Sequence, residues 1–161
     1  MRTRSLAILV LLAVCLVGAA KPGKPMKPAG YDPKRDPAAD LQAAIVEAQS
    51  SNKRVLLEVG GEWCIWCHYL NDLFTGDQEI STRLHESFVV VKVNWSPENK
   101  NEKFLSRYAK LNTFPHMFVL EKDGKLLHVE NLSTIEAKNG YDRQKLLAFL
   151  DKWSPKVGAK G

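Results

Sequence analysis

The chain has 161 residues, which is enough for one domain with a real hydrophobic core even after removal of a short leader. Its formal net charge is +5 at pH 7, but no basic stripe is interleaved with aromatic residues, so nucleic acid is not a predicted partner. Internal repeats are absent from the sequence.

Residues 1–20 have the three-part pattern of a secretory signal peptide. Arg2 and Arg4 form a basic head, and the apolar run from Leu6 to Ala20 closes on small residues. The run is shorter than the roughly 20 residues that cross a bilayer, so cleavage near Ala20 is predicted and no stable membrane insertion is expected after it. We therefore predict export to a bacterial periplasm, with tethering by an uncleaved N-terminal segment as the alternative.

A Pro- and Lys-rich linker over residues 21–36 is predicted to follow the signal peptide. Five of the eight prolines fall between Pro22 and Pro37, a composition typical of an extended, solvated spacer. The folded domain is predicted over 37–154, with a C-terminal tail over 155–161.

Within the domain, helical and strand patterns alternate. The βαβ portion predicts parallel strand pairing, and a hairpin at Asp123-Gly124 adds antiparallel pairing. The sequence thus predicts an α/β fold, with a mixed central β-sheet flanked by helices on both faces and strands 55–59 and 88–94 at its centre. In chain order, the predicted elements are helix 37–51, strand 55–59, helix 64–74, helix 77–85, strand 88–94, helix 97–110, strands 117–121 and 126–130, and helix 141–153.

The stretch EWCIWCHYL contains both cysteines that remain after the predicted loss of Cys15. Cys64 and Cys67 form a C-x-x-C pair, typical of disulfide-exchange proteins, and with His68 they also form C-x-x-C-H, the attachment pattern of a c-type haem. A bridge between residues three apart closes a small loop and adds little chain-entropy stabilisation, so the pair indicates reactivity rather than a structural staple.

Haem and metal are the weaker interpretations of this stretch. The C-x-x-C-H directly follows a strand, whereas small c-type cytochromes are mostly helical, and a haem iron needs a second axial ligand. Cys64, Cys67 and His68 offer three ligands to zinc, but no second close pair completes a tetrahedral site. We therefore predict neither a metal nor another cofactor, and keep the c-type haem protein as a remote alternative.

The position of Cys64 favours the dithiol interpretation. It lies at the predicted start of a helix, where unpaired N–H groups and the helix dipole stabilise a thiolate. Cys67 lies one turn later, covered by the helix. Disulfide exchange needs this combination of an exposed nucleophile and a resolving thiol within bonding distance.

The sequence resembles the thioredoxin superfamily from about Leu41 to Trp153. Three features carry the resemblance: W-C-x-x-C between a strand and a helix, Glu58 six residues before Cys64, and Pro115 in T-F-P-H ahead of a strand and its hairpin. Secreted bacterial thioredoxin-like proteins with a W-C-x-W-C centre, some described as disulfide isomerases or reductases, show the most similar pattern.

The resemblance implies roles for five residues. Cys64 is the attacking nucleophile, Cys67 the resolving thiol, and Glu58 a buried acid that takes the Cys67 proton through a water molecule. Pro115 is implied to be cis and, with Phe114, to face the dithiol and bind extended substrate. An outward-facing Glu58 is the alternative for that position.

Four further residues near the motif are candidate contacts or modulators. Trp63 and Trp66 are interpreted as aromatic cover that contacts substrate, with a core position as the alternative for Trp63. His68 is interpreted as a helix-surface residue, or else a modulator. His116 lies near the sulfurs and makes Cys64 more acidic when protonated, or is a partly exposed loop histidine.

These patterns together predict an exported thiol–disulfide oxidoreductase, either a reductase or an isomerase. Its predicted partners are client proteins with disulfides or thiols and an unidentified redox partner that resets the dithiol. The alternative is a non-catalytic peptide-binding or chaperone module. The family's first strand is not evident before residue 37, and Ile65-Trp66 replaces the usual Gly-Pro, so no redox potential is implied.

Overall fold

A computed structural model describes residues 30–156 of the chain. The predicted signal peptide, residues 21–29 of the predicted linker and residues 157–161 of the predicted tail lie outside this range. The helices and strands in chain order are α1 (Pro37–Ser51), β1 (Arg54–Gly60), α2 (Ile65–Gly76), α3 (Gln78–Ser87), β2 (Phe88–Asn94), α4 (Glu102–Leu105), β3 (His116–Leu120), β4 (Leu126–Glu130), β5 (Glu136–Ala137), β6 (Gly140–Tyr141) and α5 (Arg143–Trp153).

The main sheet is mixed, and its strand order is β2-β1-β3-β4. Strand β1 pairs in parallel with β2, and the pairs β1–β3 and β3–β4 are antiparallel. The β1–α2–α3–β2 connection supplies the helical crossover that a parallel pair requires. In this register Glu58 of β1 lies opposite Lys92 of β2 on one side and Met117 of β3 on the other.

Alternating side chains of β1 enter two separate hydrophobic clusters. Leu56 packs with residues of α2, α3 and α5, including Leu70 and Leu146. Leu57 packs on the opposite side with residues of α1, including Leu41. Because strand side chains alternate between faces, helices cover both faces of the sheet, and the predicted α/β architecture is confirmed.

The prediction that strand 88–94 lies at the centre of the sheet is wrong. Strands β1 and β3 occupy the centre, and β2 is an edge strand of the described sheet. Val89 and Val90 are accordingly only half-buried. A run of β-branched residues indicates a strand with apolar contacts on its faces, but it does not indicate how many strands pair alongside it.

The predicted helix over 97–110 is also wrong, since only the single turn α4 forms there. Ser96 and Asn99 exchange backbone hydrogen bonds in a tight turn, and the Asn94 side chain donates to the Asn99 carbonyl at 2.7 Å. Asn101 has a left-handed backbone with φ of 49°. Local side-chain bonds of this kind compete with helix formation, and the asparagines outweigh the Ser-Pro start signal.

Helix starts are better predicted than the segment before the last helix. Asp36 caps α1 by accepting from the Ala38 N–H at 2.9 Å, as its position before Pro37 predicts. The last helix begins at Arg143 rather than residue 141, because Tyr141 pairs in β6. Strands β5 and β6 have two residues each, too short for a periodic pattern.

The described part of the predicted linker, residues 30–36, contains a residue that is not solvated. Tyr31 is only 4% exposed, and no strand precedes α1 in this described segment. The chain therefore contributes a buried aromatic side chain to the domain before α1 begins. Of the helices that the structure describes, none is both long enough and apolar enough to pass through a bilayer.

Candidate functional site

Cys64 and Cys67 form a disulfide at the start of α2, after the short loop that follows β1. Their Cα atoms are 5.2 Å apart. Cys64 is the N-cap of α2, and its sulfur accepts a hydrogen bond from the Cys67 backbone N–H at 3.2 Å. The first-turn N–H groups and the helix dipole favour negative charge at this sulfur once the disulfide is reduced.

The disulfide is more enclosed than the sequence predicts for an exposed nucleophile. Cys64 is only 3% exposed and Cys67 is fully buried. Tyr31, Trp66 and Phe114 pack around the two cysteines and cover them. Very little of the Cys64 surface is therefore exposed to solvent in the oxidised protein.

Glu58 is fully buried in the middle of β1, as the resemblance implies, and does not face outward. Its Oε1 accepts a hydrogen bond from the Tyr31 hydroxyl at 2.5 Å, and its Oε2 lies 3.5 Å from the Lys92 ammonium. Within the described residues, Oε2 has no hydrogen-bond partner. The carboxylate thus has one oxygen held by a donor and one that faces a cation but remains able to accept a proton.

Lys92 is a member of the site that the sequence analysis missed. Its ammonium donates to Asn71 Oδ1 of α2 at 2.9 Å and lies 5.1 Å from the centre of the Tyr31 ring. Its signal in the sequence is a single charged residue inside the otherwise apolar run FVVVKVN. A buried acid on the neighbouring strand makes a lysine at that register position a candidate ion-pair partner.

Tyr31 is the second missed residue, and it joins the two halves of the site. Its hydroxyl bonds to Glu58, and its ring atoms reach the space above Gly60 that the Cys67 sulfur also borders. Burial, followed by the charge of Glu58, raises the pKa of Tyr31 well above its usual value, so the hydroxyl is a permanent donor. No local pattern in the Pro-rich segment predicts the contact between Tyr31 and Glu58.

The peptide bond between Phe114 and Pro115 is cis, as the resemblance implies. Pro115 is buried immediately before β3, and Phe114 packs against the cysteine cluster. The structure therefore brings Phe114 to the disulfide, with Pro115 next to it in the chain.

Trp63 lies at the surface of the site rather than in the core, since it is 52% exposed. Its indole N–H donates to the Trp95 carbonyl at 2.7 Å, and its ring meets the rings of Trp95 and Phe114 edge-on at 6.0 and 5.5 Å. Trp95, which the sequence analysis did not select, directly follows β2 and bonds through its N–H to the Gly60 carbonyl. We call Trp63, Trp95 and Phe114 the aromatic rim.

Trp66 belongs to a different aromatic group. It is half-buried, and its ring meets Tyr69 and Tyr141 edge-on, each at 5.6 Å between centroids. Trp66 also packs against the cysteine cluster. Two separate groups of rings thus contact the disulfide, one through Trp66 and the other through Phe114 of the aromatic rim.

The two candidate histidines are both buried. His68 is not the helix-surface residue that the sequence predicts: its Nε2 lies 2.9 Å from the Glu62 carbonyl oxygen, and the loop before α2 covers its ring. His116 lies in β3 with its ring 4.9 Å from Phe118, so it is not a loop histidine. Burial lowers the pKa of His116, which disfavours the protonated form through which it would acidify Cys64.

No group of three or more His, Cys, Asp and Glu side chains within residues 30–156 is arranged to hold a metal ion. The haem alternative would need thioether bonds from the same two sulfurs that are joined to each other in this structure.

Comparison with sequence families finds one match over most of the domain. The model of a thioredoxin-like family matches residues 36–122, which is more than half of the chain. The matched range includes the disulfide, Glu58, Lys92 and the cis proline, and it stops before the last helix.

Two solved structures share the fold. A disulphide isomerase from Xylella fastidiosa Temecula1 has a TM-score of 0.65 at 22% identity, covering 76% of this chain and 95% of that chain. The C-terminal domain of DsbD from Neisseria meningitidis, in the oxidised form, has a TM-score of 0.54 at 20% identity, covering 73% of this chain and 96% of that chain. At these identities the likeness establishes a thioredoxin-like fold.

A curated relative matches a shorter stretch. Spermatogenesis-associated protein 20 from Homo sapiens is 40% identical over 53 residues, which is 33% of this chain. The match spans only 7% of the human protein's length.

Gly60 is predicted to be essential for the packing of this site. A Cβ at position 60 would lie 2.5 Å from the Cys67 sulfur and 2.9 Å from the Tyr31 ring and hydroxyl. We expect Gly60→Ala to lower the free energy of unfolding of the oxidised protein by about 1–3 kcal/mol, as overpacking of a filled interior does. Urea unfolding followed by tryptophan fluorescence measures the change.

Gly76→Ala is the matched control, because nothing lies within 4 Å of a Cβ at the end of α2. We expect it to leave stability unchanged or to raise it by up to about 1 kcal/mol through helix propensity. Equal stability of the two variants would show that the site tolerates a methyl group between the tyrosine and the sulfur.

Proposed function

The chain belongs to the thioredoxin-like family, and from that premise we propose that it is an exported thiol–disulfide oxidoreductase that reduces or isomerises disulfides of client proteins. The observation that carries the proposal is the Cys64–Cys67 disulfide at the N-terminus of α2, packed beside a tyrosine that bonds to buried Glu58. A nucleophile stabilised by the helix start and a nearby proton acceptor are the groups that thiol exchange requires.

The reductive half of the reaction begins from the reduced pair. The Cys64 thiolate attacks one sulfur of a client disulfide, the client S–S bond breaks, and the other client sulfur leaves as a thiolate. Cys67 then gives up its proton and attacks the Cys64 sulfur of the mixed disulfide, which releases the second client thiolate. The client gains two electrons and the Cys64–Cys67 disulfide forms.

Glu58 is the proposed acceptor of the Cys67 proton, through a water molecule. Its Oε2 is the oxygen that remains without a hydrogen bond among the described residues, and the Lys92 ammonium lies 3.5 Å from it. The acid acts only on the second step, since Cys64 at the helix start needs no base once it is a thiolate.

The way in which the pair returns to its working state differs between a reductase and an isomerase. A reductase needs a partner that donates two electrons to the disulfide, whereas an isomerase returns to its starting state when the client thiolate attacks again. In either case the chemistry uses only thiols and disulfides, so no cofactor is included in the proposal.

The aromatic rim and Pro115 are the proposed binding surface for clients. Trp63 exposes half of its surface to solvent. Phe114 packs against both the Trp63 ring and the cysteine cluster. Amphipathic rings of this kind bind apolar segments with little loss of side-chain entropy. Clients presenting apolar residues next to a disulfide are the substrate class that this surface fits.

A peptide-binding module without thiol chemistry is the second candidate. The observation that favours it is the exposed apolar surface formed by Trp63 and Ile65, which are 52% and 41% exposed. Exposed apolar patches commonly mark sites that bind other proteins.

Substitution of the cysteines separates the two candidates. We expect Cys64→Ala with Cys67→Ala to lose insulin reduction by on the order of 10²-fold or more, because both covalent steps use these sulfurs. Cys67→Ala alone should accumulate a covalent adduct between Cys64 and the client on non-reducing gels. Full retention of client refolding by the double variant would instead establish the peptide-binding module.

The reduction potential determines the direction of electron flow. We expect a value between about −270 and −180 mV, the interval that contains thioredoxins and disulfide isomerases. Equilibration of Cys64–Cys67 with glutathione buffers, followed by acid quenching and thiol alkylation, measures it. A potential near about −120 mV would instead identify an oxidant.

Export is the proposal that rests on residues 1–20. In a Gram-negative host, we expect the periplasmic fraction to contain a form that begins close to Lys21, as found by N-terminal sequencing and intact mass. Leu11→Arg places a charge in the apolar run and should keep the chain uncleaved, whereas Lys27→Arg should not. Full-length wild-type protein in the membrane fraction would support the tethered alternative.

A further inference from the structure

We propose that Tyr31 is a positioning residue of the dithiol: its hydroxyl fixes one carboxylate oxygen of Glu58, with the other oxygen left to receive the Cys67 proton. The inference deepens the proposed function and rests on it, because a proton acceptor matters only if Cys67 attacks a mixed disulfide. Tyr31 comes from the segment ahead of α1, outside the matched range 36–122.

The segment that carries Tyr31 is fixed to the site at two points. The Tyr31 backbone N–H donates to Glu62 Oε1 at 2.8 Å, in the loop that precedes Cys64. Two residues later, the Pro33 carbonyl accepts from the Asn99 side chain at 2.8 Å. These bonds hold the backbone of the segment on both sides of residue 32, so the position of the tyrosine ring is determined by the fold.

The ring also fits a space that only a glycine leaves open. The same missing Cβ of Gly60 gives room to the Tyr31 ring and to the Cys67 sulfur, which border one another there. Tyr31 is buried, so bulk solvent does not reach Cys67 from this side. Proton exchange of Cys67 is therefore directed to groups inside the site rather than to bulk solvent.

The hydrogen bond from Tyr31 gives the two carboxylate oxygens of Glu58 different roles. Oε1 accepts from Tyr31, whose raised pKa keeps its proton in place, and Oε2 is not hydrogen-bonded within the described residues. A donor to a carboxylate stabilises its ionised form. In the resolving step the Cys67 proton passes to Oε2, the sulfur attacks Cys64, and the client thiolate leaves.

Other charged and titratable groups from neighbouring elements also lie around the Tyr31 hydroxyl and the Glu58 carboxylate. Lys92 of β2 lies 3.5 Å from Oε2, Cys67 belongs to α2, and Glu62 lies in the loop before α2. Tyr141 of β6 interacts electrostatically with both Tyr31 and Glu58, but its own hydroxyl has no hydrogen-bond partner among the described residues. Tyr31 is thus the tyrosine whose removal takes a donor from the carboxylate.

The test follows the reaction of the reduced protein with dithionitrobenzoate in stopped flow. Cys64 attacks first and releases one thionitrobenzoate; Cys67 then attacks the Cys64 sulfur and releases the second, which isolates the resolving step. Tyr31→Phe keeps the ring and removes the donor, so the carboxylate should stay protonated to a higher pH. We expect the pH midpoint of the second release to rise by about one to two units.

Two control variants show whether the shift comes from this hydrogen bond. Tyr141→Phe removes a buried hydroxyl that bonds to nothing in the described structure, and we expect its second-release midpoint to match that of the wild type. Glu58→Gln removes the titrating acceptor, so adding Tyr31→Phe to it should produce no further shift. The first release, which reports on Cys64, should change little in Tyr31→Phe.

The possible outcomes distinguish the two proposals. A wild-type protein without a second release would overturn the proposed function itself, because Cys67 would then not resolve a mixed disulfide. A normal second release whose midpoint is the same in wild type and Tyr31→Phe would overturn the role of Tyr31 alone. So would an equal shift in Tyr141→Phe, or a shift that persists in the Glu58→Gln background.

A second measurement covers the case in which Tyr31→Phe does not fold. Incorporation of 3-fluorotyrosine at position 31 retains the ring and hydroxyl but makes the phenol a stronger donor. The second-release midpoint should then move to lower pH, opposite to the expected effect of Tyr31→Phe. An unchanged midpoint would count against the positioning role.

Discussion

The site depends on the burial of one carboxylate in the middle of a central strand. An uncompensated charge in an apolar interior costs several kcal/mol, so a fully buried carboxyl group such as that of Glu58 requires polar partners around it. Those groups come from both directions along the chain: the Tyr31 hydroxyl from the segment before α1, and the Lys92 ammonium from the parallel partner strand β2. Strand pairing and the path of the N-terminal segment thereby converge on the same carboxylate, which is the one that we propose to accept the Cys67 proton.

The fold carries that carboxylate and the two sulfurs on consecutive elements, a strand and the helix that follows it. Strand β1 carries Glu58 and ends at Gly60, and α2 begins with Cys64 as its cap. The helix start favours a thiolate, whereas the strand carries the carboxylate that we propose as proton acceptor. The two cysteines thus lie in different electrostatic surroundings although they are one helical turn apart, as the proposed roles of nucleophile and resolving thiol require.

The sequence was most informative where function depends on neighbours in the chain. Cys64, Cys67 and the helix start are one local motif, and the resemblance added Glu58 and Pro115. Tyr31 and Lys92 could not be predicted in this way, because Tyr31 reaches Glu58 across 27 positions and the lysine reaches it through strand pairing. Periodicity predicts which face of an element is buried, but it does not identify the residue on another element that contacts this face. The helix predicted over 97–110 failed for a related reason, since asparagine side chains satisfied the backbone locally.

The groups that we propose for proton transfer differ in exposure from those that we propose to meet a client. Glu58 and Tyr31 are buried and Lys92 is half-buried, whereas Trp63 of the aromatic rim is half-exposed. Cys64 shows only 3% of its surface, so in the function that we propose a client sulfur approaches past these rings before any exchange begins. On that proposal, apolar contact with the rim comes before chemistry and selects clients by the residues beside their disulfides. The buried carboxylate would act afterwards, on the mixed disulfide, so client selection and electron transfer would depend on different residues.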